Sequence, residues 1–195
     1  MTAPSYLSAT VEYGPNADSV VDLMARVSST DWFSTAGKSA GRAAAEKSLR
    51  EISHRFGIDE YRIQWLDKAQ LPSFLEGMRL ETSPLWQQIH DLPDRIREKA
   101  EDSGRMPNVT AIAEHIPEYL FHQSFDGAFR EFGSQGKEIV QTAVGSVMYL
   151  AGLACAWEML ADTGDWETNP YKPLLQVFET GHWPLGLYDG VFYLI

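Results

Sequence analysis

The chain has 195 residues, of which 44% are hydrophobic, and its 27 acidic and 16 basic side chains give a net charge of −11. This length is typical of a single domain spanning residues 1–195, and the hydrophobic fraction is too high for a disordered chain. The acidic balance disfavours nucleic-acid binding, and a single cysteine rules out an internal disulfide bond.

The expected location of the protein is inferred from the lack of recognisable targeting signals in the sequence. The first residues contain neither the basic region nor the apolar region of a secretory signal. The longest apolar run, residues 142–158, is shorter than the roughly 20 residues that span a bilayer. We therefore expect a cytoplasmic protein with no membrane partner.

The first third of the chain contains four predicted elements. Alternating side chains predict a strand over residues 5–13, and Asn16 is placed to cap a short helix that follows. A second helix is predicted over residues 39–56. Residues 61–65 alternate between apolar and polar side chains, and this stretch fits either a short strand or a helix.

The rest of the chain is predicted to be a series of helices around one apolar helix. Residues 136–161 have helical spacing and are apolar on nearly every side, which is typical of a buried central helix. Prolines mark the predicted starts of the other helices, because proline is well tolerated in the first turn. These prolines are Pro72, Pro84, Pro93, Pro117 and Pro170.

The end of the chain predicts a β-hairpin. Asp189 and Gly190 lie between apolar runs, and such a pair favours a type I′ turn with a positive φ at both positions. A lone hairpin is marginally stable in water, so residues 185–195 must pack on the helices or pair with the predicted strand at 5–13. The predicted fold class is a mainly α, single compact multi-helix domain with a small antiparallel β element.

Three polar residues within one predicted helix suggest a metal site. Glu118, His122 and Asp126 recur every four residues, a spacing at which carboxylate and imidazole groups could hold a metal ion or share a proton. Beside them runs an apolar stripe that predicts the buried face: Phe121, Phe125, Ala128, Phe129 and Phe132. We interpret the three polar residues as the edge of that face. The alternative is a helical metal-dependent enzyme, or a small-ligand-binding protein, that uses them.

Glu158 is the unusual residue of the predicted central helix. If it were buried, it would need a cation such as Arg130 or Lys137, or a raised pKa suited to an acid or base. We expect instead that the last turn of the helix emerges into solvent.

The usual sequence signs of a reactive cysteine or of a zinc site are missing from the chain. It has no basic residue close in sequence to Cys155 and no pair of histidines with zinc-binding spacing. We therefore predict no catalytic residue and no cofactor. An enzyme whose site is assembled from distant residues stays open.

The negative charge is concentrated in the second half of the chain. Residues 1–100 hold 12 basic and 14 acidic side chains, whereas residues 101–195 hold 4 and 13. Such a surface attracts and steers a basic partner. The leading hypothesis is an acidic protein-binding module, such as an immunity or antitoxin-like inhibitor of a basic protein. Its candidate contact residues are Asp162, Asp165, Glu167 and Glu179. The alternatives are a charge that only maintains solubility and a subunit of a homo-oligomer.

Overall fold

The computed structural model describes residues 6–77, 84–162 and 166–195, and in these ranges it is a mainly helical domain with a small sheet. Its helices are α1 (Tyr6–Tyr13), α2 (Ala17–Ser28), α3 (Arg42–Arg55), α4 (Leu71–Gly77), α5 (Pro84–Asp102), α6 (Met106–Phe132), α7 (Lys137–Leu160) and α8 (Lys172–Glu179). Its strands are β1 (Arg62–Trp65), β2 (Pro184–Tyr188) and β3 (Val191–Leu194). The predicted fold class is confirmed.

A hairpin of two long helices, α6 and α7, forms the centre of the fold. A short 3-10 turn joins them, and they pack against each other more extensively than any other two described helices. Helix α7 also contacts α2, α5 and α8, so it is the predicted central helix. The apolar pattern suggested that this helix would be buried on nearly every side, and that was wrong. Gln141, Gly145 and Tyr149 are exposed on the side that the neighbouring helices leave open.

Helix α7 is longer than its apolar run. It has 24 residues, and an 18-residue window in it has a mean hydropathy of 1.6, so its length and composition would allow it to cross a membrane. The apolar run in the sequence had suggested a segment too short to span a bilayer, and that conclusion was wrong for the whole helix. Half of that window is buried inside the protein, as is also found for core helices of globular domains.

Two prolines lie inside helices and do not start them. Pro93 is within α5 and Pro117 is within α6, which continues without a break from Met106 to Phe132. A proline removes one helical hydrogen bond, and the buried residues Ile116 and Leu120 hold α6 in place across this position. The prediction at Pro72 is confirmed, because Pro72 lies in the first turn of α4. Pro84 is the first described residue of α5. The prediction at Pro170 was wrong, because α8 begins two residues later, at Lys172.

The start of the described chain is helical, which corrects the strand predicted over residues 5–13. Ala9 and Tyr13, four residues apart, are buried on one side of α1, as helical spacing requires. Asn16 does not cap α2 with its side chain. Its amide instead donates hydrogen bonds to carbonyl oxygens at the end of α7, including those of Glu158 (3.1 Å) and Met159 (3.3 Å).

The sheet has the strand order β1-β3-β2, so the last strand of the chain is its central strand. Strands β2 and β3 form the predicted hairpin, in which Asp189 and Gly190 have φ of 49° and 70°. The third strand is β1, which pairs with β3 in parallel, with Arg62 opposite Val191. The hairpin's pairing partner is thus the stretch at 61–65 and not the N-terminal residues. The sheet is mixed, where an antiparallel element had been expected.

Candidate functional site

A row of exposed phenylalanines on α6 is the most unusual surface feature of the described chain. Phe121 and Phe129 are 43% and 47% exposed, and Phe125 between them is partly buried. The rings stack along the helix, with centroids 5.7 Å apart for Phe121 and Phe125 and 6.0 Å apart for Phe125 and Phe129. We call these three residues the aromatic ladder. Large apolar side chains grouped on a surface are typical of interaction sites.

The aromatic ladder lies in acidic surroundings. Helix α6 carries four acidic residues and one basic residue, and Glu114, Glu118 and Asp126 are exposed. The single cation of α6, Arg130, lies 3.3 Å from Asp31. The ladder therefore combines an apolar centre with a negatively charged edge.

The sequence placed the ladder in the core, which is wrong for the exposed rings. The buried residues of α6 are Ile112, Ile116, Leu120, Ser124, Gly127 and Ala128. The row from Ile112 to Ala128 and the ladder both repeat every four residues, so their spacing does not tell which row is buried. Gly127 could have indicated the answer, since a Cβ at this position would lie 2.6 Å from the carbonyl oxygen of Trp32. A glycine inside a helix leaves the backbone uncovered by a side chain, so another segment can pack closely on that side of the helix.

The predicted metal residues lie on the same helix as the ladder. Glu118, His122 and Asp126 are all exposed, and the His122 ring contacts the ring of Phe121 at 5.4 Å between centroids. Among the described residues, no group of three or more His, Cys, Asp and Glu side chains is close enough to hold a metal ion. The structure therefore gives the metal hypothesis no preformed centre in these ranges.

The predicted partner-binding residues that the structure describes differ in their surroundings. Asp162 is exposed, 3.9 Å from Lys99, and Asp165 lies outside the described residues. Glu167 and Glu179 line a polar cleft between α3 and α8. Glu167 is paired there with the buried ammonium of Lys172.

The cleft between α3 and α8 has a volume of about 380 Å³ and is lined mainly by charged and hydroxyl side chains. The two helices run antiparallel. At one end, Arg55 Nη1 donates to the carbonyl oxygen of Asn169 at 2.9 Å, and at the other, Gly41 lies against the carbonyl oxygen of Thr180. Burial raises the pKa of Glu179, while Arg26 and Lys172 act in the opposite direction.

A second cavity of about 480 Å³ lies between α5, α7 and the segment after α3. Its lining includes Arg55, Asp91, Arg95 and Trp157. Arg55 is held by Glu51 at 2.7 Å and by carbonyl oxygens, so much of the positive charge in this cavity is already compensated.

Glu158 is buried, which corrects the expected solvent-exposed turn. It is 1% exposed, and its Oε1 accepts a hydrogen bond of 3.0 Å from Asn169 Nδ2. The same amide nitrogen donates to the Ala154 carbonyl at 2.8 Å, and Asn169 Oδ1 accepts from the Tyr171 N–H at 3.0 Å. Of the two cations predicted as partners, Arg130 lies instead 3.3 Å from Asp31. The Glu158 carboxylate is part of a buried structural network with Asn169.

The lone thiol is unsuited to nucleophilic chemistry. Cys155 is fully buried, and this burial, together with nearby Glu158, raises the pKa of the thiol far above its ordinary value.

No protein-family model, curated protein or solved structure matches the chain.

Proposed function

We propose that this protein is an acidic protein-binding module that docks a basic partner protein on the aromatic ladder of α6. The most concrete form is an immunity or antitoxin-like inhibitor, which covers a functional surface of its partner. The observation that carries the proposal is the exposure of Phe121 and Phe129 beside the carboxylates of Glu118 and Asp126.

The apolar part of the ladder is large enough to contribute to affinity. A phenylalanine side chain has about 200 Å² of accessible surface, so exposures of 43% and 47% leave roughly 180 Å² uncovered at Phe121 and Phe129. Burying this area would contribute about 4 kcal/mol before the costs of association are subtracted. Aromatic anchors of this kind commonly dominate binding energies.

The charge selects the partner. The acidic residues around the ladder would repel an acidic surface and speed the approach of a basic one. The expected partner therefore presents an apolar groove edged by lysine and arginine. The excess negative charge of residues 101–195 extends this preference beyond the contact itself.

Site-specific photocrosslinking in the native host tests the location of the interface. A photoreactive phenylalanine analogue replaces Phe121 in one variant and Val11 in the other. Val11 is the matched control, because it is an apolar residue that is 83% exposed on α1. We expect a crosslinked basic protein from position 121 and not from position 11.

The crosslinked protein is then purified and its affinity is measured across a salt series. We expect Phe121→Ser combined with Phe129→Ser to weaken binding by about 100-fold, and Val11→Ser to leave it unchanged. Affinity should also fall with rising salt concentration. Equal crosslinking from both positions, a crosslink only to a second copy of the chain, or an acidic partner would overturn the proposal.

A further inference from the structure

The aromatic ladder is continued along α6 by two acidic residues. Glu114 and Glu118 precede Phe121 at intervals of four and three residues, and both of their side chains are exposed. At about 100° per residue, these two residues and the three rings all lie within about 80° around the helix axis. We call Glu114, Glu118 and the aromatic ladder the extended ladder. Its first part is acidic and its second part is aromatic.

The two carboxylates of the extended ladder are not compensated within the described ranges. No Lys, Arg or His nitrogen of those ranges lies within 4.0 Å of the carboxylate of Glu114 or Glu118. Both carboxylates can therefore pair with cations of a partner that covers the rings.

The spacing of the rings matches the pitch of a second helix. Phe121 and Phe129 are eight residues apart, which is about 12 Å along a helix axis. Their rings are stacked through Phe125, with centroid distances of 5.7 Å and 6.0 Å. Side chains four residues apart form a ridge, and such a ridge fits the grooves that recur with each turn of about 5.4 Å on another helix. A β-strand repeats the side chains of one face about every 6.7 Å, so it would lose register with the rings.

The backbone of α6 also favours a helix as the docking element. The ladder residues lie inside α6, so their N–H and C=O groups are used in its own hydrogen bonds. At the end of the ladder, the Phe129 carbonyl accepts from the Gly133 N–H at 2.8 Å. An extended segment laid on the rings would find no backbone partner there, whereas a helix satisfies its own backbone groups.

We propose that the basic partner contributes an amphipathic α-helix that lies along the extended ladder. Apolar turns of this helix would cover the three rings, and lysine or arginine side chains in the adjoining turns would lie against Glu114 and Glu118. This helix depends on the proposed function, because it is the element through which the basic protein would dock.

Mapping of crosslink sites tests the nature of the docking element. A photoreactive phenylalanine analogue is placed at position 121 in one variant and at position 129 in another, and mass spectrometry locates the crosslinked residues of the partner. A helix lying along α6 advances about 1.5 Å per residue, so we expect the two crosslink sites to be about six to ten residues apart in the partner. A strand advances about 3.3 Å per residue, which would place the two sites about three to four residues apart.

Charge variants test the acidic part of the extended ladder. Glu114→Gln combined with Glu118→Gln should raise the Kd for the crosslinked partner about three- to tenfold at low salt, and by less at high salt. Glu98→Gln combined with Glu101→Gln is the matched control, because these two glutamates are exposed on α5 and removing them changes the net charge equally. The control should change the Kd by less than about twofold. Circular dichroism spectra and melting temperatures check that every variant is folded.

The outcomes separate this helix from the function on which it depends. Crosslink sites with the spacing of a strand, crosslink sites in different segments of the partner, or equal weakening by both pairs of glutamine substitutions would overturn the helix and leave a basic partner in place. A crosslink only to a second copy of the chain, only to an acidic protein, or to no protein would overturn the proposed function and the helix together.

Discussion

Gly127→Ala is expected to destabilise the protein although it replaces a glycine inside a helix. In an ordinary helix interior, alanine is more favourable than glycine by about 1 kcal/mol. At position 127 the new Cβ would lie 2.6 Å from the carbonyl oxygen of Trp32, whereas carbon–oxygen contacts are normally about 3.3 Å or longer. The two segments must therefore separate by roughly 0.7 Å.

The segment that contains Trp32 has little freedom to move. Trp32 is 1% exposed, and the following Phe33 is fully buried with a φ of 65°. The Phe33 ring contacts those of Phe132, Phe178 and Trp183 at 6.0 to 6.4 Å between centroids. Overpacking a core costs typically about 1–3 kcal/mol. After the helix gain of about 1 kcal/mol is subtracted, we expect the free energy of unfolding to fall by up to about 2 kcal/mol.

Gly145→Ala on α7 is the matched control. Gly145 is exposed, and nothing lies within 4 Å of the position that its Cβ would take. Alanine at this site should raise the free energy of unfolding by about 0.5–1 kcal/mol. Urea unfolding followed by circular dichroism measures both variants. If Gly127→Ala were as stabilising as Gly145→Ala, the close packing of α6 on the Trp32 segment would be refuted.

Two further predictions concern buried polar groups. Asn169→Ala should lower the free energy of unfolding by about 3 kcal/mol, because Glu158, Ala154 and Tyr171 each lose a buried hydrogen bond; a loss below about 1 kcal/mol in urea unfolding would show that this network adds little. Burial, assisted by Arg42, lowers the pKa of His182 against the opposing effect of the Ala40 and Ile195 oxygens. The unfolded chain then binds a proton that the native state does not, so stability should fall as the pH drops below about 6.5. His182→Gln should reduce that slope between about pH 7 and 5.5, and an unchanged slope would contradict the assignment.

The features predicted well from the sequence depend on local chemistry. The Asp189–Gly190 turn requires positive φ at both positions whatever the surroundings, so the hairpin could be placed from two residues. Helix α7 was recognisable because few other elements combine such length with so apolar a composition. In both cases the pattern itself excludes the alternatives.

The features that were predicted poorly depend on tertiary contacts with segments that are distant in the sequence. The sequence of residues 61–65 fits either a strand or a helix. In the structure these residues include strand β1, because residues 62–65 pair with β3. Pro117 is tolerated inside α6 because buried side chains on both sides hold the helix in register. The exposure of Phe121 and Phe129, and with it the candidate interface, follows from the Trp32 segment packing on Gly127. Each of these outcomes depends on contacts with segments that are distant in the sequence.

The parallel pairing of β1 with β3 has a consequence for folding during synthesis. Arg62 pairs with Val191, and Thr35 N–H donates to the carbonyl oxygen of Gly181, so the early segments find these partners only near position 190. At typical elongation rates of about 5–20 residues per second, residues 31–66 wait roughly ten seconds on the ribosome with apolar side chains such as Trp32 and Leu66 uncovered. The α6–α7 hairpin, whose contacts are close in sequence, can form within that interval. The nascent chain is therefore expected to be a substrate for chaperones until its last strand is released.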